Sequence, residues 1–85
     1  MSPEQSRAAR GWLGWTQVEL AKHANVSVGT VRNFEQGLKS PVPNNIGAMR
    51  RALEAAGVRL VFDKKGAAGI LRPDAGADLF DEPPT

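Results

Sequence analysis

Between Gln17 and Gly37 the apolar positions fall into two short sets at helical spacing. Val18, Leu20, Ala21 and Ala24 make one set; Val28, Val31 and Phe34 make the other. Steps of three and four residues bring each set onto one face of a helix. Asn25 lies between them. Asparagine enters the left-handed region more readily than most residues that carry a β-carbon, so it can stop the first helix and turn the chain. Ser27 then suits the N-cap of the second helix. Ala21 is small where two crossing helices come closest. Two short helices joined by so tight a turn read as a helix-turn-helix over residues 17–37. The same pattern also suits a pair that only fills the core of a small helical protein, so the flanking chain has to decide.

Upstream, Ser2-Pro3-Glu4-Gln5 begins an earlier helix, with Ser2 as cap, Pro3 at the first position and Gln5 where a capping-box partner belongs. It is expected to run to about Leu13, with Ala9, Trp12 and Leu13 inward and Gly14 as its stop. Arg10 falls beside that buried face and therefore needs a carboxylate. Thr16 to Glu19 forms a second capping box, and Trp15 just before it is expected to staple onto the helix that follows. Gln17 lies in the first turn, where free N–H groups and the helix dipole favour an anion such as a phosphate.

Downstream, Gly37 is a C-cap and a loop leads to Pro43, which suits the start of a fourth helix through Ala56. Ile46, Met49, Leu53 and Ala56 form its buried stripe, Arg50, Arg51 and Glu54 face out, and Gly57 closes it. Val58 to Asp63 changes to strand composition, 64–69 reads as a turn, and Ile70 to Arg72 reads as a short return strand. An isolated hairpin is marginal in water. This one is expected to pack on the helices, to pair with a second copy through Val58, Leu60 and Phe62, or both. Residues 73–85 are acidic and rich in Pro and Gly, so a disordered tail is expected. The expected organisation is thus a mainly α, four-helix unit over 1–57, a strand or hairpin over 58–72, and a tail over 73–85.

Composition narrows the function. A chain of 85 residues holds one domain. It has no Cys, so no disulfide framework, thiolate metal site or cysteine nucleophile. The net charge of +2 hides an asymmetry: residues 1–72 carry all eleven Lys and Arg against five carboxylates, a net +6, whereas 73–85 carry four carboxylates and no base. A basic body suits a polyanionic partner. No apolar run approaches the roughly 20 residues of a membrane span, and no signal-peptide core opens the chain, so a cytoplasmic protein is expected. His23 is the one histidine, with no second ligand at zinc spacing, so no metal is expected. No Ser/His/Asp set, catalytic carboxylate pair or phosphate-cradling glycine loop appears, which argues against an enzyme and against a cofactor.

The helix after Ser27 is the candidate reader of a nucleic acid. Val28, Gly29, Thr30, Arg32, Asn33 and Gln36 exceed what the core needs. In a major groove Arg suits guanine, Asn suits adenine, and Thr or Val can meet a thymine methyl. Lys39, beyond the helix end, can reach a phosphate. Gly29 costs on the order of 1 kcal/mol of helix stability relative to Ala. Two explanations stand level: a glycine tolerated near a helix start, or one kept for close approach of another surface.

With these residues laid out, the chain resembles the Cro/C1-type (XRE) helix-turn-helix DNA-binding proteins over about residues 5–57. The resemblance rests on Gln17, Glu19-Leu20-Ala21, Val26-Ser27, Thr30-Val31, Phe34-Glu35 and Gly37 in order. The whole chain is also similar to short bacterial regulators of that type, through Arg7 to Arg10, Gly14 to Gln17 and Arg50 to Val58. The resemblance implies a four-helix, lambda-repressor-like fold with a short C-terminal strand or hairpin. It implies a homodimeric transcriptional regulator, expected to be a repressor, on double-stranded DNA. Gln17 would touch phosphate and support the reading helix. Ser27, Val28, Gly29, Thr30, Arg32 and Asn33, with Gln36 and Lys39, would form the DNA surface. Glu35 would pair with Arg10. An antitoxin that binds DNA through this motif and a toxin through its hairpin or tail is the alternative, and an interaction module without DNA binding is a third reading.

Overall fold

A computed structural model describes residues 1–38 and 42–71. The elements run α1 (Pro3–Leu13), α2 (Gln17–Ala24), α3 (Val28–Gln36), α4 (Pro43–Ala55), β1 (Arg59–Asp63) and β2 (Gly66–Leu71). Lys39, the rest of the 39–41 loop, Arg72 and the acidic tail lie outside the described residues.

Each of the first three helices begins on a side-chain cap. Ser2 and Gln5 close a reciprocal capping box, and so do Thr16 and Glu19; Ser27 Oγ accepts from the Thr30 amide at 3.1 Å. These caps satisfy amides that lack an intrahelical acceptor. Asn25 ends α2 at φ 57°, the left-handed turn expected of it. Gly37 ends α3 at φ 70°, where a β-carbon would be strained. α4 starts on Pro43 without a side-chain cap.

Ala9, Leu20, Ala21, Ala24, Val31, Phe34, Met49, Leu53 and Val58 form the buried core, with Leu13, Trp15, Val28, Ile46, Leu60 and Ile70 packed against it. Two apolar residues expected inside are not. Trp12 is 56% exposed and Val18 is 61% exposed. On α1 the buried arc runs through Gln5, Ser6 and Ala9 towards Leu13, and Trp12 sits on its margin. On α2 the arc runs through Leu20, Ala21 and Ala24, so the first-turn position that continues it inward is Gln17, and Val18 points away.

The hairpin is longer than its composition suggested. The turn is only Lys64-Lys65, and β2 begins at Gly66 rather than near Ile70. The Lys65 amide donates to Asp63 Oδ1 at 2.8 Å, a local bond that closes the turn. Gly66 supplies the φ of 117° that follows. The strands pair antiparallel with a register shift between Val61 and Phe62, which leaves Ala68 unpaired as a bulge. At that bulge buried Gln5 of α1 donates through Nε2 to the Val61 carbonyl at 2.8 Å and the Gly69 carbonyl at 3.0 Å. Its Oε1 meanwhile accepts from the Ser2 amide. One amide thus caps a helix and ties both strands to it. Leu60 and Ile70 seat the hairpin on the core, and Arg50 of α4 lies 5.0 Å from the Phe62 ring centroid. Val58, expected at an interface between copies, is 1% exposed and belongs to the core of its own chain.

Candidate nucleic-acid interface

The geometry of the helix pair is fixed from behind. Glu35 is the one acidic residue of α3, it is buried, and its carboxylate meets four donors. Arg10 of α1 approaches side-on and bidentate, Nε to Oε2 at 2.8 Å and Nη2 to Oε1 at 2.6 Å. Ser6 Oγ donates to Oε2 at 2.5 Å and Gln17 Nε2 donates to Oε1 at 3.2 Å. Arg10 Nη1 is held in turn by the Trp15 carbonyl at 3.0 Å. A carboxylate has about four lone-pair sites, and here all are used. Burial alone would raise the Glu35 carboxyl, but the hydrogen bonds from Arg10, Ser6 and Gln17 and the Arg10 charge outweigh it, so it sits below its ordinary range. The same hydrogen bond raises Arg10. Arg7 donates to the Glu35 backbone carbonyl, one of the acceptors left free at the end of α3. One side chain therefore joins α1, the start of α2 and the inner face of α3.

The opposite face of α3 looks outward. Gly29, Arg32, Asn33 and Gln36 follow one another at i, i+3, i+4 and i+7, a single stripe along the helix. Arg32, Asn33 and Gln36 are exposed, and none makes a side-chain hydrogen bond or ion pair with another described residue. An exposed guanidinium, an exposed carboxamide of Asn and one of Gln on one stripe offer forked donors and acceptors to a planar edge. Gly29 at the head of the stripe offers bare backbone.

Other residues read as contacts from the sequence have more limited freedom. Val28 packs partly on the core. Ser27 Oγ caps Thr30 and lies 2.8 Å from Thr30 Oγ1, so the two hydroxyls serve each other. Gln17, half-buried, commits one N–H to Glu35 and retains the other. Trp15 packs on α2 through His23, their rings stacked with centroids 4.2 Å apart. The expected contact from Lys39 lies outside the described residues.

Ser6, Arg7 and the strand-holding role of Gln5 were not read from the sequence. Ser6 carries the clearest missed signal. It falls on the same stripe as Ala9 and Leu13, and a hydroxyl in an apolar stripe implies a buried partner.

Among the described residues no group of three His, Asp or Glu side chains could hold a metal ion, and no helix is long and apolar enough to cross a membrane. Comparison with family models finds a match to a helix-turn-helix domain over residues 5–61. Comparison with curated proteins finds no match.

Proposed function

The chain belongs to the helix-turn-helix domain family, of the Cro-like kind, and from that premise we propose that it is a sequence-specific transcriptional regulator of double-stranded DNA that reads the major groove with α3. The observation that carries this reading is the outward stripe of α3. Three exposed polar side chains free of partners among the described residues stand on a helix braced to α1 and α2 by a saturated buried carboxylate.

In this reading Arg32, Asn33 and Gln36 contact base edges and Thr30 meets an apolar base substituent. The free N–H of Gln17, the first-turn amides of α2 and Lys39 contact phosphate, which supplies affinity and register. Ser27 shapes the start of α3 rather than reading bases. The expected action is repression by occupancy, without catalysis. Two copies would bind half-sites about 34 Å apart, joined at the exposed part of the hairpin, Phe62 and the open strand edges, because Val58 is already used within one chain. The test is selection of bound duplexes from a random pool. The reading expects enrichment of a short motif repeated with two-fold symmetry. A pool that emerges unenriched, with no salt-dependent retention of any duplex, contradicts it.

A further inference from the structure

Where α2 packs against α4, Trp15, His23, Ala52, Ala55 and Ala56 line a shallow cleft of about 280 Å³. The Trp15 and His23 rings stack with their planes 1° apart. The three alanines fall at i, i+3 and i+4, so they share one face of α4. No carboxylate lines the cleft. Lys22 and Arg51 each adjoin a lining residue in the chain, and Arg59 follows three residues after Ala56. All three are exposed, and none makes an ion pair with another described residue. The acids nearby are engaged. Glu19, one turn before His23, accepts from the Thr16 amide, and Glu54 pairs with Arg50. An apolar and aromatic cleft thus stands among unpaired basic residues, a setting for an apolar side chain with carboxylates beside it.

The chain carries a segment of that chemistry. Residues 73–85 hold four carboxylates and no base, and their two large apolar residues, Leu79 and Phe80, lie between Asp78 and Asp81-Glu82. The segment also starts beside the cleft. Leu71, where the described hairpin ends, pairs with Arg59. One strand pairing and three residue steps put Leu71 within roughly 17 Å of Ala56. The eight steps from Leu71 to Leu79 span up to ~26 Å when extended, so the apolar pair reaches the cleft. A second cleft, of about 380 Å³ between α1 and β2, has Glu4 in its lining and suits an acidic segment less. We propose that Phe80, with Leu79 beside it, occupies the Trp15–His23 cleft of its own chain, and that Asp78, Asp81 and Glu82 lie against Lys22, Arg51 and Arg59. The aromatic ring supplies the apolar contact, and the opposite charges set its orientation. The inference does not depend on what α3 binds.

The chain has no cysteine, so Ala77→Cys in the full-length protein gives one attachment point for a nitroxide close to the docking pair. The NMR signals of the Trp15 indole and the His23 ring should lose intensity in the labelled protein. Phe80→Ala in the labelled chain should restore both signals, and Ala55→Phe, which fills the cleft, should do the same. The restoration should come with unchanged helical content by circular dichroism, so that it is not a loss of fold. Added salt should weaken the effect, because the charges involved are exposed. Full intensity at Trp15 and His23 in the labelled protein, or a loss that Phe80→Ala leaves unchanged, would overturn the proposal. A loss on unlabelled, isotope-enriched chains mixed with nitroxide-bearing ones would seat the segment in a second copy and overturn the assignment to its own chain.

Discussion

Glu35 shows how a single buried residue ties three helices together, through Ser6 and Arg10 of α1 and Gln17 of α2. It lies where α3 faces inward, and Arg10 is legible from the sequence as needing a partner of its kind, because a guanidinium beside a buried stripe needs a carboxylate. Ser6 and Gln17, which complete the shell, were less visible: the spacing of apolar residues defines a stripe, while the centre of the buried arc depends on what packs against it. The same uncertainty put Trp12 and Val18 inside, when Gln5 and Gln17 take the inward places. A residue-scale prediction follows from the bond geometry. Arg10→Met removes one partner of a buried pair and leaves the Glu35 charge uncompensated, which should cost about 3–5 kcal/mol of stability. Replacing both, Arg10→Met with Glu35→Leu, should recover much of that loss, and denaturant unfolding of the three proteins measures it. The pH dependence has a definite sign. The folded-state Glu35 carboxyl is held below its ordinary 4.5. Its contribution is therefore complete above that value and is lost as pH falls through the lower, folded-state value. Glu35→Gln should flatten that part of the acid limb in a stability-against-pH series.

At the scale of elements, the helices were readable because their punctuation is local. Ser2, Thr16 and Ser27 cap, and Gly14, Asn25 and Gly37 stop, each through bonds within a few residues. The second strand was not readable in this way. Gly66-Ala67-Ala68-Gly69 has little strand propensity, and it is extended because β2 pairs with β1 and docks on α1 and the core through Gln5 and Ile70. Gln5→Leu should leave the Val61 and Gly69 carbonyls without that donor and cost about 1–3 kcal/mol. Hydrogen exchange should then speed up in 59–71 before it does in α2 and α3. The outward stripe of α3 obeys a different logic. Arg32→Ala and Asn33→Ala should each weaken binding to a selected duplex by about 1–3 kcal/mol and relax preference at one base pair. Neither side chain is engaged with another described residue, so circular dichroism and the thermal midpoint should stay within a degree or two of wild type.

At the scale of the molecule, charge and exposed apolar surface act together. The +6 of residues 1–72 was visible from composition and is a statement about partners, not about fold. The surface that would join two copies was only half legible, since Val58, Leu60 and Phe62 share a strand but not a fate. Val58 is in the core, Leu60 is packed against it, and Phe62 is 43% exposed beneath Arg50. On the proposed dimer, Phe62→Asp should abolish self-association, read by sedimentation or light scattering, while the monomer keeps its helical content. The salt dependence of DNA binding should fall with it, because a monomer neutralises half as many phosphates. The most direct test of the central claim is a titration of wild type and Arg32→Ala against a selected duplex and a scrambled one at two salt concentrations. The wild type is expected to prefer the selected duplex by at least about 1,000-fold, to weaken on both as salt rises, and to lose roughly 5- to 100-fold of its preference in Arg32→Ala. Equal affinity for the two duplexes, or a preference that Arg32→Ala leaves untouched, would contradict the assignment of α3 as the reading helix.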